Sequence, residues 1–270
     1  MLDAMWKRRS VRVFEDEALS VEDVKMIHEL IEEAKNHKGP FGHQVDFFLK
    51  DGTKFDGQKM GTYGTVKHPQ MIVGGFTEEE FDGFVDYGYL LEELILKITK
   101  LEVGSLWVEG HFDPSNLGVE DVEGKIVPAL CPIGYPKGKE LKKRQFHINP
   151  KKEQRKDMRE LAFVGKKLKP MNESDLYHDH IRAVQIAPSG SNKQPWRFVV
   201  MNNEIHVFLE RTKGYGASLP KDIQAIDIGI ALRHLTFSLE EHKVFYEVMR
   251  KEAPVDLENT SYVCTVKIEK

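Results

Sequence analysis

The apolar positions of this chain fall into two similar series of elements. From Ser20 to Lys35, Val24, Ile27, Leu30, Ile31 and Ala34 recur at helical spacing. Ser20 is a candidate N-cap, with Asp23 three residues on. Gly39-Pro40 ends that helix, and the runs Val45–Leu49 and Gln70–Phe76 read as strands. Tyr87–Leu101 is apolar nearly all round, which predicts a central, buried helix. Ile126–Ile133 reads as one more strand. A polar, lysine- and arginine-rich stretch follows, Lys137 to Arg159. Then the pattern starts again: a helix from Ser174, capped by that residue, to Ala187; strands at Arg197–Met201 and Glu204–Leu209 around an Asn202-Asn203 turn; a second apolar helix, Ala225–Glu240; and a closing strand, Tyr262–Ile268.

Both halves therefore run helix, polar loop, strand, strand, long buried helix, strand. Residues echo as well. D-Y-G-Y-L-L-E-E-L (Asp86 to Leu94) matches D-I-G-I-A-L-R-H-L (Asp227 to Leu235) at Asp, Gly and two Leu. Gln44 to Phe48 keeps the Gln-to-Phe spacing of Gln194 to Phe198. Internal duplication accounts for both echoes, against coincidence between two amphipathic units, because the order of elements repeats too. The expected division is 1–136 for the first half, 137–160 for a basic linker and 161–270 for the second half.

Composition narrows the classes of function. The chain has 270 residues, 40% of them hydrophobic, and a formal net charge of −4. That suits a globular core and gives no bulk attraction for nucleic acid or anionic membrane. The basic stretch is interrupted by acids and lacks stacking aromatics, so no nucleic-acid partner is expected. No apolar run reaches the length of a membrane span, and the N-terminus lacks the apolar core of a signal peptide. A cytoplasmic location is the expectation. Its two cysteines, Cys131 and Cys264, make no C-x-x-C pair. The histidines of Tyr177-His178-Asp179-His180 point apart on a helix and suggest no metal. There is no phosphate-binding G-x-G-x-x-G or Walker loop and no G-x-S-x-G elbow.

Three segments can carry chemistry. In K-R-R-S-V-R-V-F (Lys7 to Phe14), an extended chain puts Arg8, Ser10 and Arg12 on one face. Two guanidinium forks and a hydroxyl suit a phosphate and a polar ring edge; a solvated basic turn fits the same residues. In A-P-S-G-S-N-K-Q-P-W (Ala187 to Trp196), Pro188 stops a helix, Gly190 permits close backbone approach, and Ser189, Ser191 and Asn192 offer donors and acceptors. An ordinary helix-to-strand connector uses such residues too. In L-W-V-E-G-H-F (Leu106 to Phe112), Glu109-Gly110 can present a backbone N–H to a ligand or simply leave a helix.

Together these segments resemble the FMN-dependent nitroreductase family, whose members begin with R-x-S-x-R/K followed by Phe and carry a loop like A-P-S-S-x-N-x-Q-P-W. Here those are Arg8, Ser10, Arg12 and Phe14, and Ala187 to Trp196. In the family the two motifs lie close in sequence; here they lie in opposite halves. The arrangement is similar to a single-chain, fused pseudo-dimer branch of the TM nitroreductase type. Family members are usually homodimers with flavin at the interface. The resemblance implies an α+β, nitroreductase-like fold, internally duplicated, with antiparallel-rich sheets flanked by helices around two central buried helices. It implies one FMN site per chain, because the complementary copies, Asn36 to Gln44 and Arg159 to Phe163, have lost the motifs. Arg8, Arg9, Ser10 and Arg12 would bind phosphate, ribityl chain and pyrimidine edge. Glu109-Gly110 would face the flavin N5, and Pro188, Ser189, Gly190, Asn192 and Gln194 the ring from the far half. Gln224 is a further implied contact, and Lys143 and Arg144 are implied phosphate ligands. The implied activity is hydride transfer from NAD(P)H through FMN to a nitroaromatic, quinone or similar flat acceptor, with no side chain required as acid or nucleophile. The alternative is an FMN carrier or sensor without turnover. A monomer is allowed by the duplication.

Overall fold

The structure is a computed structural model, which describes residues 1–57, 65–110, 112, 117–119, 122–138 and 154–269. Two long helices form its centre, α3 (Phe81–Thr99) and α6 (Ile223–Glu241), each buried along nearly its whole length. Each half adds one antiparallel-rich sheet. In the first, strands β1 (Asp46–Asp51), β2 (Met71–Glu78), β5 (Leu130–Gly134) and β3 (Gly104–Ser105) lie in that order, with β4 (Lys125–Ile126) also on β2. In the second, β8 (Trp196–Met201), β9 (Glu204–Leu209), β11 (Ser261–Ile268) and β10 (Tyr246–Met249) repeat the order. A pair of strands, β6 (Ala162–Val164) and β7 (Lys169–Pro170), extends the β8 edge. The fold is α+β and internally duplicated.

The seam between α3 and α6 shows the duplication at atomic level. A Cβ on Gly88 would collide with the Ile226 carbonyl, its carbon 2.9 Å away, and one on Gly229 with the Val85 carbonyl, also with its carbon at 2.9 Å. In the sequence echo, Gly88 corresponds to Gly229 and Val85 to Ile226, so the two contacts are reciprocal, as across a twofold axis. Glycine is required here because the helix backbones touch. A second reciprocal pair lies one to two turns on. Glu92 accepts from His234 Nε2 at 2.8 Å, and Glu93 pairs with Arg233 Nη2 at 3.0 Å. Corresponding positions thus carry acid in one half and base in the other.

The helix α2 (Val21–Ala34) starts where the sequence indicates, with Ser20 Oγ accepting from the Asp23 N–H at 3.0 Å. Other boundaries differ. Ser174 is not a cap: the chain turns through a left-handed Tyr177 and helix α5 spans only His178–Gln185. The run Ile126–Ile133 is two strands, β4 and β5, separated by residues 127–129. Helix α1 (Leu2–Lys7), short helix α4 (Met158–Leu161), the strands β6, β7 and β10 and the early start of α3 are additions to the sequence reading. The segment Arg159 to Phe163, expected to stand in for the basic motif, takes a different place: β6 runs parallel to β8, whereas Ser10 bridges Ser105 at the opposite, β3 edge of its own sheet.

Candidate functional site

The N-terminal basic segment is fixed by α1 and β3. Helix α1 packs Ala4 and Met5 against Leu96, Ile186 and Phe237, and ends at Lys7. The next residues then run beside β3, with the Val11 N–H donating to the Ser105 carbonyl at 2.9 Å. Alternation sends Arg8 inward and Arg9 elsewhere. The Arg9 guanidinium donates to the carbonyls of Trp6 and Arg8 at 2.9 Å, closing the end of α1. Arg8 is 2% exposed, and its nearest acid is Glu92, 3.8 Å from Nε. Its Nε and Nη1 have no hydrogen-bond partner. Burial lowers its affinity for the proton, while Glu92 opposes that. A buried guanidinium with unmet donors is costly unless an anion or acceptor completes it.

The second wall is the loop that follows α5. Ser191, Asn192 and Gln194 all take left-handed backbone conformations, with φ of 49°, 54° and 50°. The loop is pinned on every side. The Gly190 N–H donates to Asp227 Oδ1 at 2.8 Å. Arg155 donates to the Ala187 carbonyl and to Asn192 Oδ1 at 2.8 and 2.9 Å. Tyr215 donates to Ser191 Oγ at 2.8 Å. Gln194 is 2% exposed and accepts from the Lys156 N–H at 2.9 Å. Such fixing leaves the Pro188-Ser189-Gly190 face rigid toward the cavity.

Between these walls lies a cavity of about 540 Å³. Arg8, Ser10, Arg12, Glu109, Gly110, Pro188, Ser189, Gly190 and Asn192 all line it, so residues remote in sequence share one cleft. Of the other expected contacts, Arg9, Gln194 and Gln224 stand outside the lining. Gln224 instead holds the segment before α6, accepting from the Thr212 N–H at 2.8 Å. Lys143 and Arg144 lie outside the described residues. Ser191, a candidate donor in the loop, lines it too, and Trp107, Gln154, Arg155 and Tyr215 line the cavity without having been singled out as contacts. Gln154 and Arg155 were read as linker. Their signal lay only in a cation just ahead of α4, and no spacing rule connects it to the loop.

The electrostatics favour a negatively charged ligand. Glu109 is 6% exposed and neither carboxyl oxygen has a hydrogen-bond partner. Burial raises it to about 8; Lys221 opposes the rise and Glu92 adds to it. Lys221 is lowered to about 8, by burial against the pull of Glu109. Near pH 7 the carboxyl is thus mostly neutral and the ammonium mostly charged. Asp227, fully buried, is raised by burial and by Glu109, against the hydrogen bond from Gly190. A Cβ on Gly190 would come within 2.5 Å of Glu109 Oε2 and 2.8 Å of the Tyr215 hydroxyl, so a larger residue there has to displace one of these two side-chain tips.

The corresponding place in the other half is built differently. Carrying the helix echo onward without a gap pairs Glu102 with Lys243, both left-handed at φ 58° and 57°, and Glu109 with Arg250. Arg250 lies over the Phe41 ring at 4.3 Å and donates to Asp82 Oδ2 at 2.6 Å. Asp86, the counterpart of Asp227, accepts from the Phe41 and His43 N–H groups at 3.0 and 2.9 Å. Among the described residues there is no group of three or more metal-ligating side chains, and no helix is long and apolar enough to cross a membrane.

Comparison with known proteins bears on this architecture. A crystal structure described as "a putative nitroreductase", from Thermotoga maritima, is 20% identical, with 99% of this chain and 92% of that chain covered and a TM-score of 0.57. A nitroreductase family protein from Clostridium novyi NT is 21% identical over 52% of this chain and 86% of its own, with a TM-score of 0.40. An FMN-dependent nitroreductase from Clostridium difficile R20291 is 17% identical over 56% of this chain and 96% of its own, with a TM-score of 0.43. No curated protein matches the chain. The family model described as "Putative TM nitroreductase" matches residues 1–239. The two-sheet fold around paired central helices is therefore a nitroreductase fold, and the chain belongs to the TM nitroreductase family.

Proposed function

We propose that the cavity holds one FMN per chain and that the protein is an NAD(P)H-dependent oxidoreductase acting on a nitroaromatic, quinone or similar flat acceptor. The observation that carries this reading is the Arg8 guanidinium: buried, lining the cavity, with Nε and Nη1 unmatched by any protein acceptor. A phosphate or the oxygens of a ribityl chain supply what it lacks. A cavity of about 540 Å³ falls in the range of small-molecule and cofactor sites. Bound flavin supplies the two-electron chemistry.

The chain's own residues then divide the work. Arg8 and Ser10 hold the phosphate or ribityl group. Arg12, exposed on the same face, gives positive charge to the pyrimidine edge. Glu109 and Gly110, which line the cavity, would contribute a backbone N–H to the bound ring. Pro188, Ser189, Gly190 and Asn192 close the other side as a rigid wall. The counterpart, where Phe41 and His43 are bonded to Asp86 and Arg250 covers the Phe41 ring, supports a single site rather than two. The division into 1–136, 137–160 and 161–270, a pseudo-dimer within one chain, belongs to the same proposal.

The test is an absorbance spectrum and flavin determination on freshly purified protein. One flavin per chain is expected, and Arg8→Ala with Arg12→Ala should abolish its uptake. Two flavins per chain, or uptake undiminished in the double variant, refutes the assignment. Anaerobic addition of NAD(P)H should bleach the yellow absorbance. Bound flavin that does not bleach makes the protein a carrier or sensor.

A further inference from the structure

Gly190 is flanked by two buried carboxyl groups from different halves of the fold. Asp227, on α6, accepts the Gly190 N–H through Oδ1, and its Oδ2 has no partner. Glu109, beyond β3, brings Oε2 to within 2.5 Å of where a Cβ on Gly190 would stand, and neither of its oxygens has a partner. The charge of Glu109 acts on Asp227 across Gly190, and two interacting carboxylates out of water do not both ionise readily. A carboxylate left bare in such a place is strongly disfavoured, whereas a carboxylic acid is a usable donor.

We propose that Glu109 and Asp227 form a proton-holding pair beneath Gly190, and that Glu109, the member lining the cavity, is the acid that protonates an acceptor reduced there. The delivery step rests on the flavin reading. A quinone gains two electrons and one proton as hydride from the reduced cofactor, which becomes oxidised, and would be left as the mono-anion. The Glu109 O–H bond breaks as a new O–H bond forms on the acceptor oxygen. The bonding pair stays on Glu109, and the carboxylate recovers its proton from water.

The groups facing the pair are named by the packing. Lys221, ahead of α6, is the cation nearest in effect to Glu109, and Glu92 of α3 adds repulsion. Asp222 adds repulsion at Asp227. Cys131 of β5 also feels Glu109, and its thiol is pushed up by burial. Arg8 and Tyr215 complete the surroundings across the cavity. Lys221 itself lies over the Phe112 ring at 3.9 Å. The raising of Glu109 to about 8 agrees with a proton retained at neutral pH.

The experiment combines infrared spectroscopy with rapid kinetics. Infrared difference spectra of the wild-type protein, titrated with alkali, should show the carbonyl stretch of a protonated carboxylic acid lost with a midpoint near 8. In Glu109→Gln the component that titrates near 8 should be missing, while the band of the more strongly raised Asp227 remains. Asp227→Asn should remove the band that persists above that midpoint and leave the Glu109 component in place. Absence of the band at pH 7 overturns the proton-holding pair. Reoxidation of the reduced protein by benzoquinone should slow above the same pH. In Glu109→Gln it should be slower by ~10²-fold or more and lose that limb, while FMN affinity is retained. Retained flavin with an unchanged pH profile in Glu109→Gln overturns the delivery role. If the wild-type protein takes up no FMN, the cofactor reading and the delivery step fall together, and the pair itself stands or falls on the infrared band.

Discussion

Replacing Gly229 with alanine tests the seam on which the whole site depends. On helix propensity alone the change should stabilise α6 by up to ~1 kcal/mol. The structure demands the opposite sign. The new Cβ would lie 2.7 Å from the Tyr89 nitrogen and 2.9 Å from the Val85 carbonyl carbon, and closer still to the Val85 oxygen. Carbon-to-oxygen contacts settle at about 3.3–3.6 Å, so α3 and α6 must part by roughly 1 Å. The obstacles are backbone atoms on a buried helix, which cannot swing aside as a side-chain tip can. Overpacking of this kind costs about 1–3 kcal/mol, and a gap of even 0.5–1 Å forfeits roughly a quarter to a half of the dispersion energy of the neighbouring contacts. A net loss of ~2 kcal/mol is expected, read as a lower urea midpoint with unchanged slope. Because Glu109 and Gly190 approach each other across the two halves, FMN affinity should fall in parallel. Gly88→Ala should behave alike, and the double variant should lose less than the sum, since the first substitution has already opened the seam. A Gly229→Ala protein as stable as the parent would refute the packing and with it the shared cleft.

Three further outcomes follow from the geometry. Arg8→Ala should abolish flavin uptake, whereas Arg9→Ala, which removes the closure of α1 and lies outside the cavity lining, should leave affinity within ~3-fold while lowering stability by about 1 kcal/mol; equilibrium titration of the two variants separates them. Gly190→Ala should weaken flavin binding at least ~10-fold, because its methyl must displace the Glu109 carboxyl or the Tyr215 hydroxyl; fluorescence quenching measures it. His206, buried in β9 with Nδ1 on Thr265 Oγ1 at 2.8 Å, is held down to about 4 by burial, with Lys251 adding and Glu204 opposing. Its folded-state affinity for protons is below that of the unfolded chain, so its contribution is complete above pH 6.5 and is lost as pH falls toward 4. That loss should amount to roughly 1–3 kcal/mol, and His206→Gln should flatten thermal stability across the window.

Periodicity revealed what depends on long apolar faces or on local caps. The two central helices, the strands β1, β2, β8, β9 and β11, and the Ser20 cap all leave such marks. Helix α1 left none: two turns of M-L-D-A-M-W-K have no capping side chain, and the helix is held by Leu96, Ile186 and Phe237 from elsewhere. Ser174 misled because the residues of a turn and of a cap are the same types, and only the left-handed Tyr177 distinguishes them. The part of the cavity lining that was readable lies in the two motifs and at Glu109-Gly110, on rigid connections whose backbone does the positioning. Arg9 and Gln194 were credited with ligand contact because motif membership does not say which residues face inward. The acid pair was not readable at all. Glu109 suggested only a backbone N–H, and its side chain acquires meaning when Asp227 and Gly190 are brought to it from the other half.

The acid-against-base arrangement at Glu92–His234 and Glu93–Arg233 also governs which polypeptide fragments can associate. Two copies of the first portion, assembled about the same axis, would bury four glutamates against one another; two copies of the second would oppose arginine with histidine. A polypeptide severed between the two sheets should therefore recombine unlike with unlike, and co-expression of the pieces should be needed to recover a soluble complex. The two halves are thus a matched, non-interchangeable couple at this seam.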